Sequence, residues 1–170
     1  MTEIIAANLV VGRDGSTTLG GHSKGLSVPA DRERFHEIRR SFDAIVIGGN
    51  TARNEPYAKA PLPVVILTSR GIPDALIEKP DVEAWDLPID QALAKAKEKY
   101  HRVLIESGPA LLKAALEAGL VNELFLTIVD KSPNENPLNI SEITRGFEEI
   151  SRQVVTEAVF LHLRLAPTSH

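Results

Sequence analysis

The 170-residue chain contains no cysteine, which excludes thiol catalysis, cysteine-ligated metals and disulfide bonds together. It has no basic excess either: 23 Asp and Glu outnumber 19 Lys and Arg, for a net charge of −4 and a pI near 5.7. Such a balance is poorly suited to nucleic acid or an anionic membrane as the main partner. No long apolar run occurs. Ile4–Val11 is broken by Asn8 and is too short for a signal core or a membrane span, and Met1-Thr2-Glu3 offers no basic leader. The expectation is a soluble, cytoplasmic protein with neither a nucleic-acid nor a membrane partner. Metal is not expected, because His22, His36, His101, His162 and His170 are scattered without ligand spacing. A G-x-S-x-G elbow is missing as well, which argues against a serine hydrolase.

What is present is the composition of one globular domain, 43% hydrophobic and 25% charged. A domain of this length buries roughly 70% of its unfolded surface and needs no staple. Residues 1–170 therefore read as a single domain. Its organising stretch is Asp43-Ala-Ile-Val-Ile-Gly-Gly-Asn-Thr-Ala-Arg-Asn-Glu-Pro-Tyr57. Ala44–Ile47 is apolar and too short for a helix, so it predicts a buried strand. Gly48-Gly49 end it, and Asn50 or Thr51 can cap a following helix. Strand, glycines and helix start together form an anion cradle; the same residues equally make an ordinary tight turn. Pro56 biases Glu55 to an extended conformation, near the strand ends where open α/β sheets bind ligands.

In chain order, strands are predicted at Glu3–Val11, Pro63–Thr68, Val82–Trp85, Arg102–Ile105 and Asn122–Val129. Asn8 within the first reads foremost as a satisfied polar core group and secondarily as a ligand contact. Gly12 to Gly25 is a long polar loop. A helix follows with Pro29 in its first turn and Ser27 as candidate cap, burying Phe35, Ile38 and Phe42. Its arginines, Arg32, Arg34, Arg39 and Arg40, read for the most part as solvated. Further helices are expected over Pro88–Tyr100 and from Pro109 to Ala118, the latter stopped by Gly119. Ser132–Asn139 is a polar loop. Val159, Leu161, Leu163 and Leu165 alternate with Phe160, His162 and Arg164, which predicts a terminal edge strand with one buried face. Helices alternating with strands, then strands alone, predict an α/β fold: a mostly parallel, doubly wound sheet with an antiparallel C-terminal edge.

Two strand-to-helix turns share one pattern, Ile47-Gly48-Gly49-Asn50-Thr51 and Ile105-Glu106-Ser107-Gly108-Pro109. On neighbouring parallel strands they would hold a dinucleotide pyrophosphate between two helix starts. Ser69-Arg70 ends a third strand and can offer a hydroxyl and a guanidinium to a 2′-phosphate, or be a plain polar turn. With neither metal nor thiol, Glu55, Glu106 and Asp14 are the candidate acids.

Taken in order, Asp14-Gly15, Ser23, Arg34-x-His36-x-Ile38-Arg39, Asp43-Ala44-Ile45, Gly48-x-x-Thr51, Glu55-Pro56, Ile105-Glu106-Ser107-Gly108-Pro109 and Gly119-Leu120-Val121-Asn122-Glu123-Leu124 resemble the riboflavin-biosynthesis reductase domain. That domain is the C-terminal half of a bifunctional deaminase-reductase and has a dihydrofolate-reductase-like fold. The resemblance runs from Ile4 to about Asp130. It implies an NADPH-dependent reductase that converts the ribosyl group of a phosphorylated ribosylaminopyrimidine to ribityl, and a homodimer. Gly48, Thr51, Ser69, Arg70, Ser107 and Gly108 match cofactor-binding positions. Ser23, Arg39 and Glu55 match positions holding the ribosyl phosphate part of the substrate. Glu55 and Glu106 are the implied catalytic acids. The chain departs from the family in Asn54-Glu55-Pro56, where an acidic pair is usual, in Gly25, where a bulky residue is usual, and in Ser132–Asn139. It is also shorter between Gly71 and Arg102. A pterin or folate reductase of the same fold, with Asp31 or Glu33 on the ring, and a non-catalytic nucleotide-binding module are the alternatives.

Overall fold

The structure, a computed structural model, describes residues 2–106 and 108–168. Among them eight strands form one sheet: β1 (Ile4–Gly12), β2 (Ala44–Gly48), β3 (Val64–Leu67), β4 (Val82–Trp85), β5 (Arg102–Ile105), β6 (Glu123–Val129), β7 (Phe147–Val155) and β8 (Ala158–Leu165). Their order is β4-β3-β2-β5-β1-β6-β8-β7. The first six are mutually parallel, β8 pairs antiparallel with β6, and β7 pairs antiparallel with β8. The expected doubly wound α/β sheet with an antiparallel edge is what the chain adopts.

Strand alternation explains the layers. Ile5, Ala7, Leu9 and Val11 on β1 pack with Val103 and Ile105 against α3 (Ile89–Lys99) and α4 (Pro109–Glu117), which contribute Leu93, Ala96, Leu112 and Ala115. The opposite side of β1 and β5, Ala6 and Leu104, meets Ile38 of α1 (Pro29–Arg39) and Phe42. With helices on both faces the central strands are apolar on both sides, hence their continuous rather than alternating runs. Leu104 is fully buried, and truncating such a leucine to alanine costs about 2–5 kcal/mol.

Three local expectations are corrected. The last strand is not the edge: β8 lies between β6 and β7, and Phe160 is buried against Leu26, Val28 and Val129. The edge is β7, which carries little sequence signal because Glu148–Val154 is exposed on both faces and so has no apolar side. α1 is capped at Val28, with no side-chain cap; the Ser27 hydroxyl donates instead to Asp31 Oδ2 at 2.8 Å. Two of the four arginines turn inward. Arg34 donates to Leu161 O and Thr127 Oγ1 at 2.8 and 3.1 Å and lies over the Phe160 ring. Arg39 is buried in the site described next.

Candidate functional site

β5 is inserted between β2 and β1, so connections leave the centre of the sheet in opposite directions. At such a switch point the strand ends open a crevice. A cleft of about 500 Å³ lies there, bounded by the end of β1, α1, the 17–24 loop and the turns after β2 and β5.

On β5, Leu104 faces α1 while Val103 and Ile105 face the other layer. Two residues on from Leu104, Glu106 meets α1 at its last residue, Arg39. Arg39 Nε donates to Glu106 Oε1 at 2.8 Å and Nη2 to Oε2 at 2.6 Å. Both side chains are nearly inaccessible, at 9% and 3% exposure. Burial alone would lower the Arg39 pKa, but the Glu106 carboxylate outweighs it and raises it above the usual value. The Tyr57 hydroxyl donates to Glu106 Oε2 at 2.9 Å. Burial, reinforced by Glu106, pushes this phenol well above its ordinary pKa of 10.0. Both Glu106 oxygens are acceptors, which makes it a charge partner to Arg39 rather than a ready proton donor. The Nε–Nη2 edge is engaged by that pair, and Nη1 is the remaining edge of the guanidinium.

Glu55 follows α2 (Gly49–Asn54) in extended conformation, as Pro56 requires. Its Oε1 accepts from Ser23 Oγ at 3.0 Å and Ser23 N at 3.3 Å. The loop serine and the pre-proline acid, 32 positions apart, are thus brought together. The two glycine turns also meet: β2 and β5 are parallel neighbours, and Gly108 N donates to Thr51 Oγ1 at 3.2 Å.

Ser23, Arg39, Thr51, Glu55, Glu106 and Gly108 all line this one cleft. Gly48 ends β2, two positions before the lining residue Asn50. Ser69 and Arg70 stand apart, on an exposed bend beyond β3 where Arg70 N donates to Thr68 Oγ1. Ser107 lies outside the described residues. Asp14 does not reach the cleft; its carboxylate accepts from Ser16 N and Asn134 N, bracing a loop. Asn8, read foremost as a satisfied core group and secondarily as a ligand contact, is a cleft residue. Its signal was a lone amide in an apolar strand near the ligand-binding end. Tyr57 gave none beyond its place after Pro56. At Gly25 a Cβ would stand 2.4 Å from Leu19 O, so a bulky residue there would displace the loop. Among the described residues no group of acidic and histidine side chains could hold a metal, and no helix is long and apolar enough to cross a membrane.

The protein-family model described as the RibD C-terminal domain matches residues 4–131. The chain belongs to this family, one of riboflavin-pathway pyrimidine reductases. Its fold is that of a pyrimidine reductase-like protein from Corynebacterium diphtheriae, at TM-score 0.77 and 22% identity over 98% of this chain and 93% of that one. It is also that of RibD from Acinetobacter baumannii, at TM-score 0.75 and 17% identity over 98% of this chain and 59% of the other. A putative riboflavin biosynthesis protein from a Shewanella species matches at TM-score 0.71 and 16% identity, covering 95% of this chain and 98% of that one. The chain therefore spans about three fifths of the Acinetobacter protein and nearly the full length of the other two. The fold is dihydrofolate-reductase-like. No curated protein matches.

Proposed function

We propose that the chain is an NADPH-dependent oxidoreductase that reduces the ribosyl group of 5-amino-6-(5-phosphoribosylamino)uracil to ribityl. The observation that carries this reading is the joining of both glycine turns through Thr51 and Gly108 in the same cleft that holds Ser23, Arg39 and Glu55. The residues present fit the cofactor. Among the described residues a Cβ on Gly108, itself a lining residue of the cleft, would meet only Thr51 Oγ1, at 3.7 Å, so the approach to its backbone is open. Gly48, Thr51 and Gly108, with Ser107 by resemblance, would hold the pyrophosphate, and Ser69 and Arg70 a 2′-phosphate. NADPH, when bound, supplies the hydride.

The chain's own groups handle the sugar. Reduction at C1′ opens the ribosyl ring, so the ring oxygen must gain a proton. Glu55 and Ser23 orient that region, exchanging their mutual hydrogen bond for bonds to the ligand. Arg39 presents Nη1 to the phosphate while Glu106 and Tyr57 hold the guanidinium in place. A homodimer would meet through β7, which exposes Ile150 and Val154; sedimentation at the mass of one chain would count against it. Asp31 also lines the cleft, so dihydrofolate is the control substrate. NADPH oxidation is expected with the ribosylaminopyrimidine phosphate and not with dihydrofolate; the reverse pattern overturns the assignment.

A further inference from the structure

One wall of the cleft is the segment 17–24, through Thr17, Thr18, Gly21, Ser23 and Lys24. By itself this segment has little to keep its shape. Gly20 and Gly21 both sit in the left-handed region, at φ +66° and +83°, and a Cβ on either would meet nothing within 4 Å. Two adjacent unpacked glycines carry the greatest backbone freedom a chain can have. The tip is closed by a single bridge, Leu19 to His22.

The order comes from a second loop, 132–139. Glu135 Oε1 accepts from Gly20 N at 3.0 Å, and Oε2 from Gly21 N at 3.1 Å and Thr18 Oγ1 at 3.0 Å. Its neighbour Asn136 donates Nδ2 to Thr18 Oγ1 and accepts from Thr17 Oγ1 on its carbonyl. Asn134 and Asn136 themselves sit at φ +56° and +45°, a left-handed conformation that asparagine tolerates better than other residues with a Cβ and that suits a tight polar turn. The N–H groups of Gly21 and Gly20 draw the Glu135 pKa below the usual glutamate value.

The wall is thus fastened twice. Inside, Glu55 holds Ser23 and faces the cleft; outside, Glu135 holds the tip and does not line it. A ligand that engages Ser23 or Glu55 undoes the inner fastening. We propose that Glu135 is a positioning residue, the outer latch that keeps segment 17–24 in binding-competent form while the inner contact is exchanged for ligand. The identity of that ligand rests on the reading given under Proposed function; the latch does not.

The test compares the wild type with Glu135→Ala and Glu135→Gln by amide hydrogen exchange and by steady-state kinetics on NADPH and the ribosylaminopyrimidine phosphate. Exchange in 17–24 is expected to speed at least about tenfold in Glu135→Ala, with the β1, β2 and β5 amides unchanged. If the competent form falls to about a tenth, KM for the pyrimidine rises about tenfold with kcat within about twofold. Glu135→Gln keeps one acceptor oxygen of two, falls between, and serves should the alanine variant not fold. Unchanged exchange overturns the latch. Faster exchange with unchanged KM overturns the positioning role, as does a fall in kcat that matches the fall in melting temperature. A wild type inert toward the pyrimidine would sink the substrate reading, and the exchange comparison would then decide the latch alone.

Discussion

Arg39 and Glu106, 67 positions apart, meet fork to fork at 2.8 and 2.6 Å inside the cleft wall, the last residue of α1 against the first beyond β5. Removing either partner leaves the other as an uncompensated buried charge, at a cost of about 3–5 kcal/mol. Arg39→Met and Glu106→Gln are each expected to lower the unfolding free energy by that amount, read from urea titration as a fall in midpoint at unchanged slope. The double variant should lose clearly less than the sum, because the stranded charge is gone. Additive losses would contradict the pairing.

Tyr57 makes a further statement about pH. Its unfolded phenol ionises near 10.0, and in the fold its pKa lies well above that, chiefly through burial and then through Glu106. The folded state holds the proton more tightly, so this contribution is complete below pH 10.0 and is lost as pH rises toward the folded pKa. Stability of the wild type should fall on that alkaline limb. Tyr57→Phe should lack that part of the slope, while losing about 0.5–1.5 kcal/mol at neutral pH for the missing hydrogen bond. Parallel alkaline curves for the two proteins would refute it.

Arg70 tests the cofactor's phosphate. A charge-assisted contact to a 2′-phosphate contributes about 1.5–3 kcal/mol, hence about ten- to hundredfold preference for NADPH over NADH. Arg70→Ala should abolish the preference and leave NADH affinity unchanged. A wild type that binds both equally would remove this role from the β3 bend.

Glu55→Gln separates chemistry from folding. The amide keeps an oxygen that Ser23 can reach, so the melting temperature should barely move. Turnover should drop by about two orders of magnitude, with little change in NADPH affinity. Wild-type turnover would reduce Glu55 to a loop brace.

The sequence made the sheet legible because its central strands are buried on both faces, and such runs as Ala44–Ile47 and Pro63–Thr68 admit little else. Gly48-x-x-Thr51 and Glu106-x-Gly108 pointed to the end of the sheet where the cleft opens. Which residues touch was not legible. That Arg39 would turn from a polar helix face onto Glu106 depends on β5 entering beside β2, a long-range placement no local pattern encodes. β7 was missed because an uncovered strand has no hydrophobic period to read. Phe160 was placed on the face opposite the expected buried one for a different reason: alternation marks two faces but not which layers cover them. Glu135 reaches Gly20 across 115 positions, beyond any local signal.

The measurement that bears most directly on the proposed reaction follows the hydride itself. The protein is incubated with 5-amino-6-(5-phosphoribosylamino)uracil and NADPH deuterated on the transferring carbon, and the product is examined by mass spectrometry and NMR. A ribityl product carrying one deuterium at C1′, formed in step with NADP⁺, is the predicted result. NADPH left unoxidised, or oxidised with no deuterium at C1′, would contradict it.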